Sequence, residues 1–184
     1  SPLNTAADAL YVRYRQKLCR FETDTRHPDD QPIDPSGATI GVLGMGRIGT
    51  MAYDFLREKY GETVIGVDFD NQTVSEHADA GRRVVFGDPT DPDFWARVIR
   101  PETEARMVLL TMSQHQANLA AVRHLVDVGF PGRITAIAQF DDQVEELREA
   151  GAHAAFNFYN EAGLGFAEHA LEVLEGHYKT RATS

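Results

Sequence analysis

The chain has 184 residues, enough for one domain of ordinary size with a full core. Hydrophobic residues make up 42% and charged residues 25%, a globular mixture that excludes a fibrous repeat or a largely disordered chain. The net charge of −10 and the pI near 5.1 exclude a nucleic-acid partner, because phosphate binding needs a basic face.

A single cysteine, Cys19, rules out an internal disulfide and suits a reducing cytoplasm. No apolar run approaches the roughly 18 residues of a membrane helix. The sequence starts at Ser1 with neither Met nor a signal-peptide pattern, which leads us to expect a piece of a longer protein.

Residues 1–37 read as a helix followed by a linker. Ala6 to Phe21 spaces Leu10, Tyr14 and Leu18 by four, and Thr23 to Gly37 carries Pro28, Pro32 and Pro35 among Asp, Thr and Ser. Arg13, Arg15, Lys17 and Arg20 read as a solvated face, with contact to an acidic membrane surface or a neighbouring domain as the alternative.

Residues 38–178 form the expected domain, followed by a tail at 179–184. Ile40, Val42 and Leu43 lead as a strand into Gly44-Met45-Gly46-Arg47-Ile48-Gly49, and a helix follows with Ile48, Ala52, Phe55 and Leu56 on one face. A second strand, Val64 to Val67, ends in Asp68, about twenty residues past the last glycine, where a dinucleotide fold keeps its ribose-binding acid. Gly44 allows the tight turn, Gly46 admits a pyrophosphate, and Gly49 lets helix and strand pack closely. The helix N-terminus offers free N–H groups and partial positive charge to phosphates.

Asn71 to Ala80 reads as a short helix closed by Gly81, and Val84 to Phe86 as a third strand running into Gly87-Asp88-Pro89-Thr90. Asp91-Pro92 starts a helix whose Phe94, Trp95 and Val98 are apolar contacts, with Trp95 in the core. Met107 to Met112 is a fourth strand. Ser113 then caps a helix from Gln114 to Val128, buried along Leu119, Val122 and Val126 and ended by Gly129. Ile134 to Ala138 is a fifth strand, Asp142 and Glu145 have capping-box spacing, and Gly151 closes that helix before a sixth strand at Ala154 to Phe158. A last helix spans about Glu161 to Tyr178. The fold class expected is α/β, a Rossmann-like doubly wound parallel six-stranded sheet with helices on both faces and ligands at the carboxyl ends of the strands.

The nucleotide-contacting set falls on four loops. Gly44, Met45, Gly46, Arg47, Ile48 and Gly49 form the turn; Asp68, Phe69 and Asp70 follow strand two; Gly87, Asp88 and Pro89 follow strand three; Thr111, Met112 and Gln114 follow strand four. Asp68 can accept from both ribose hydroxyls but repels a 2′-phosphate, which favours NAD(H), AMP, ADP or ATP over NADP. Arg47 offers a permanently charged fork to phosphate, or is a solvated first-turn arginine. Asp88 meets the base or stabilises a turn.

Several stretches together carry a family resemblance: Gly46-Arg47-Ile48-Gly49, Val67-Asp68-Phe69-Asp70, Gly87-Asp88-Pro89-Thr90, Asn118-Leu119, and Leu147 to Ala152. On these the chain resembles the Trk N-terminal, or RCK, domain, the nucleotide-binding regulatory module of bacterial potassium channels and transporters. It is most similar to the cytoplasmic domain of Kef-type potassium/proton antiporters. The resemblance implies a non-catalytic module on the cytoplasmic side of the inner membrane, attached to or docked on a membrane transporter domain. Glutathione-gated Kef proteins carry arginines near the end of strand five, where this chain has Ile137 and Gln139, so glutathione control is not expected here.

Two other functions compete. An NAD-dependent oxidoreductase needs a proton-transfer group beside the nicotinamide, and His115 is the best candidate base, although little sequence remains for a substrate domain. A soluble nucleotide-sensing subunit of a separate transporter is the third. We assign no catalytic residue and no metal site: the seven histidines show no ligand spacing, and no G-x-S-x-G occurs. The last helix carries Leu164, Ala167, Leu171 and Leu174 on one face with Phe166 and Val173 beside it, wider than a tail helix needs. In RCK-like domains this helix crosses to a partner, so a homodimer through 161–178 is expected, with packing on the domain's own sheet as the alternative.

Overall fold

The structure, a computed structural model, describes residues 37–99 and 104–175. Of the helix and linker expected over residues 1–37 all but Gly37, together with the end of the last helix and the tail, lie outside the described residues.

Six parallel strands form one sheet: β1 (Ile40–Leu43), β2 (Val64–Asp68), β3 (Val84–Phe86), β4 (Met107–Leu110), β5 (Arg133–Ala138) and β6 (Ala154–Asn157). Their order is β3-β2-β1-β4-β5-β6. The chain winds outward from β1 in one direction and from β4 in the other, so the connections leave a crevice at the carboxyl ends of these two central strands. This is the doubly wound arrangement the sequence implies.

Side chains alternate across each strand, and the two sheet faces therefore draw on different residues. Ile40, Val42 and Val64 face α1 (Arg47–Tyr60) and α2 (Asn71–Asp79), in a cluster that includes Met45, Tyr53 and Val84. Leu43, Val108 and Leu110 face α3 (Pro92–Val98), α4 (His115–Asp127) and α5 (Asp141–Glu149), in a larger cluster with Trp95, Val122, Leu125 and Leu147. Asp91 caps α3 by accepting from Asp93 N–H at 3.0 Å, and Trp95 is buried with its indole N–H on Pro89 O at 2.8 Å, both on expectation. Gly81, Gly129 and Gly151 end their helices at positive φ, as read.

Several local expectations are corrected. In α1, Phe55 is 69% exposed, and the inward stripe is Gly49, Tyr53 and Leu56. The two stripes differ by one position, 100° around the helix, and the close seat of Gly49 on the turn selects the second. In α4, Leu125 is buried and Val126 is exposed for the same one-position reason. Ser113 does not cap α4: the N-cap is Gln114, without a side-chain bond. The Asp142/Glu145 capping box does not form either, since α5 starts two residues earlier than that box requires, with Phe140 at the N-cap.

The last helix, α6 (Phe158–Leu174), begins three residues before its expected start. Asn157 caps it by accepting from Tyr159 N–H at 3.1 Å and Asn160 N–H at 3.3 Å. None of its residues is buried; Phe166 is 76% and Leu171 55% exposed, so its apolar face does not pack on the domain's own sheet. Among the described residues no helix is long and apolar enough to cross a membrane.

Candidate functional site

The glycine turn between β1 and α1 is fixed by close backbone approach. Gly44 has φ +93, and a Cβ on it would lie 2.8 Å from Met112 N. A Cβ on Gly49 would overlap Gly44 O and sit 2.7 Å from Thr111 Oγ1. A side chain at Gly44 would push the turn off the β4 loop, and one at Gly49 would push α1 off the turn. The Thr111 hydroxyl, shared between Leu43 O at 3.0 Å and Gly44 O at 2.7 Å, ties the two central strands together just below the crevice.

Asp68 closes the other side of the turn. It is 8% exposed; its Oδ2 accepts from Met45 N–H at 2.7 Å and its Oδ1 from Asp70 N–H at 3.0 Å. A carboxylate has about four lone-pair directions, so two fixed N–H donors orient it and leave acceptors for a pair of hydroxyls. Asp70 caps α2: its carboxylate accepts from Gln72 N–H, Thr73 N–H and the Thr73 hydroxyl. The Thr73 hydroxyl, then its N–H, hold the Asp70 carboxyl below its ordinary value. Asp88 accepts at one oxygen from both Thr90 N–H at 2.8 Å and Thr90 Oγ1 at 2.7 Å, the local turn its sequence position allows.

These loops surround a cleft of about 1100 Å³. From the turn it is bordered by Gly44, Gly46, Arg47 and Ile48; from the β2 and β3 loops by Asp68, Phe69, Asp70 and Asp88; from the β4 loop by Thr111, Met112 and Gln114. Four residues in the expected set stand behind the wall. Met45 is buried in the α1/α2 cluster, and Gly49 is buried under the turn. A Cβ on Gly87 would overlap the Phe94 ring, and Pro89 is buried with its carbonyl on Trp95. They shape the site without facing it.

Beyond His115, Ile137 and Gln139, the far wall draws on residues that the sequence pattern does not single out. Gln139, Gln143, Phe158 and Tyr159 border the cleft beyond β4, with Thr73 and Thr90 added on the near side. Gln143 Oε1 accepts from Gln139 N–H at 3.0 Å, and Gln139 Nε2 donates to Ser113 O at 3.2 Å, so these amides bridge the β4 and β5 loops. The Phe158 and Tyr159 rings lie 4.2 Å apart by centroid on the first turn of α6. The signal was Asn157, a cap residue that marks a helix start there. Asn118 is buried and holds the corner: it accepts from Met112 N–H and donates to Met112 O and Ile137 O.

Charge is unevenly distributed. Arg47 is the one lysine or arginine among the described residues that border the cleft, against the carboxylates of Asp68, Asp70 and Asp88. It is exposed on the first turn of α1 and makes no hydrogen bond within the described residues. Ile137 and Gln139 leave the far wall neutral. His115 sits at the start of α4 with Nε2 2.7 Å from Glu146 Oε2, and its buried Nδ1 has no partner among the described residues. Among those residues no group of three His, Cys, Asp or Glu could hold a metal ion. The arrangement offers backbone N–H groups and one guanidinium to phosphate, a fixed carboxylate to a ribose, and neutral amides with aromatic rings beyond.

Residues 40–158 match the family model of the TrkA-N domain. The chain belongs to the TrkA-N domain family. It is 30% identical over 173 residues to a K(+) efflux antiporter, KefB, of Alkalimonas amylolytica, a match that covers 89% of this chain and 26% of KefB. The chain thus spans about a quarter of that relative's length. Among solved structures, the NAD(P)-binding domain of an exopolyphosphatase-related protein from Archaeoglobus fulgidus superposes with TM-score 0.66 at 24% identity, over 73% of this chain and 98% of that one. The GsuK RCK domain gives 0.60 at 25% identity, over 78% of this TrkA-N chain and 30% of that one. The GsuK channel has been solved bound to NAD (0.58, 21% identity, 84% and 27% covered) and GsuK bound to ADP (0.57, 22%, 73% and 35%).

Proposed function

We propose that this TrkA-N domain binds an adenine nucleotide, NAD(H) or AMP, ADP or ATP, and that occupancy of the cleft sets potassium flux through a Kef-type potassium/proton antiporter membrane domain. The observation that carries the reading is the pairing of a glycine turn with a carboxylate oriented by two backbone N–H groups, 2.7 and 3.0 Å away, beside an Arg47 that has no partner among the described residues. Phosphate meets the turn and the α1 N-terminus, the ribose meets Asp68, and the base lies toward Asp88. The kinship with KefB and the NAD and ADP bound by GsuK support the ligand class and the transporter context.

The domain acts as a switch and not as a catalyst. His115 engages Glu146 through Nε2, and its other ring nitrogen, Nδ1, is buried out of a ligand's reach. A nucleotide shifts the balance between two arrangements of a homodimer formed through the exposed face of α6, on the cytoplasmic side of the inner membrane. Whether the membrane domain belongs to this chain or to a partner, the chemistry in the cleft is the same.

Mass spectrometry of nucleotide released from purified protein identifies the ligand, and calorimetry with NAD, AMP and NADP tests the pocket. NADP is expected to bind at least about tenfold more weakly than NAD, because its 2′-phosphate meets the Asp68 carboxylate. Protein that releases no nucleotide and binds none of the three sinks the reading.

A further inference from the structure

Met45 is gripped from behind the cleft at both of its peptide groups. Its N–H donates to Asp68 Oδ2 at 2.7 Å, and its carbonyl oxygen accepts from His77 Nε2 at 2.9 Å and from the Thr50 hydroxyl at 3.0 Å. A carbonyl only accepts, so the His77 proton must sit on Nε2. His77 lies half-buried on α2, 32 positions along the chain from Met45, and does not border the cleft.

Peptide planarity turns this contact into a consequence for the ligand. The bond between Met45 and Gly46 is trans, and in a trans peptide the N–H points opposite to the C=O. With the Met45 carbonyl drawn toward α2, the Gly46 N–H is turned to the other side of the turn. Gly46 is exposed there, borders the cleft, and has nothing within 4 Å of where a Cβ would stand. Glycine alone resists rotation of that plane only weakly. A flipped peptide would aim a carbonyl oxygen, in place of an N–H, at an incoming anion.

We propose that His77, aided by Thr50, is a positioning residue for the anion site: it locks the Met45–Gly46 peptide so that the Gly46 N–H joins the first-turn N–H groups of α1 on a nucleotide's phosphate. This rests on the nucleotide reading above. It makes His77 a determinant of phosphate affinity and not of base or ribose affinity. A residue that only packs α2 on α1 would affect every ligand alike.

Calorimetry with ADP and with adenosine, on wild type, His77→Phe, His77→Gln and Thr50→Val, separates the two roles. His77→Phe keeps a ring and removes the donor; it is expected to weaken ADP about tenfold while adenosine stays within about twofold. His77→Gln restores an N–H at similar reach and is expected to return ADP to within about threefold of wild type. Thr50→Val gives the same selective loss at about threefold, and carries the comparison if thermal melting shows His77→Phe unfolded. Equal losses on ADP and adenosine, no loss on ADP, or failure of Gln to restore binding overturns the proposal while the nucleotide reading stands. Wild type that binds neither ligand overturns both.

Discussion

The face of the sheet under α1 and α2 buries a small cluster, Ile40, Val42, Met45, Tyr53, Val64 and Val84, and is stitched together by polar links. Arg82 forks onto Asp54, Arg83 N–H donates to the Tyr53 hydroxyl, and His77 donates to Met45 O. The opposite face, under α3, α4 and α5, is held by a much larger apolar cluster from Leu43 to Ala155. Hydrophobic burial is strong but non-directional, whereas hydrogen bonds are weak in net and fix angles. The glycine turn that must present N–H groups to an anion therefore lies on the hydrogen-bonded face, and the bulk of the stability lies on the other. The helix α6 joins neither.

The largest expected effect comes from that helix. Leu171→Glu would add a carboxylate to each side of the proposed two-fold contact, and the proposed dimer is expected to weaken about a thousandfold, giving a folded monomer by sedimentation. A variant that stays dimeric with unchanged affinity places the interface elsewhere. Next is the apolar face: Leu125, fully buried in α4, is expected to cost about 2 to 5 kcal/mol on truncation to Ala. Chemical denaturation measures this, and a loss below about 1 kcal/mol would show that the larger cluster is not the stabilising one.

What the sequence showed and hid follows the same division. Strand positions, helix ends at glycines and the glycine turn with Asp68 are local signals, carried by residue type and spacing, and β1 to β5 with α1 to α5 follow them closely. The rotation of a helix about its axis is set by tertiary contact, so the spacing points Ala52, Phe55 and Val126 inward, whereas Tyr53, Leu56 and Leu125 hold those places. The near side of the cleft was legible because its residues sit in the motif itself. The far wall was not, because Gln143 and Tyr159 reach it only through a fold that places α5 and the start of α6 beside the β4 loop. Met45 and Pro89 belonged to the motif but to its buried side, a distinction that spacing does not encode.

Arg47 tests the polar face at the ligand. Among the described residues it is the one arginine or lysine bordering the cleft and has no partner, so Arg47→Ala removes charge-assisted contacts without disturbing packing. Ligands with two or more phosphates are expected to lose about 1.5 to 3 kcal/mol, and adenosine almost nothing. A uniform loss across the series would mean the substitution had damaged the turn.

The smallest effect expected is in the polar stitching itself. Arg82 Nε and Nη2 donate to the two Asp54 oxygens at 2.7 and 2.8 Å, and this hydrogen-bonded guanidinium is the main cause that holds the Asp54 carboxyl below its ordinary 3.8. Because the folded value lies below the unfolded one, the contribution to stability is fully present above the unfolded pKa and is lost as pH falls through the folded pKa. Asp54 is 49% exposed, so water and salt screen the pair, and Asp54→Asn is expected to cost no more than about 1 kcal/mol near pH 7. The gap between wild type and variant, measured by urea denaturation, should narrow below roughly pH 4 and shrink at high salt. A gap that widens on acidification would mean that Asp54 is stabilised in its neutral form, and the α1/α2 face would then owe its order to packing and not to its ion pair.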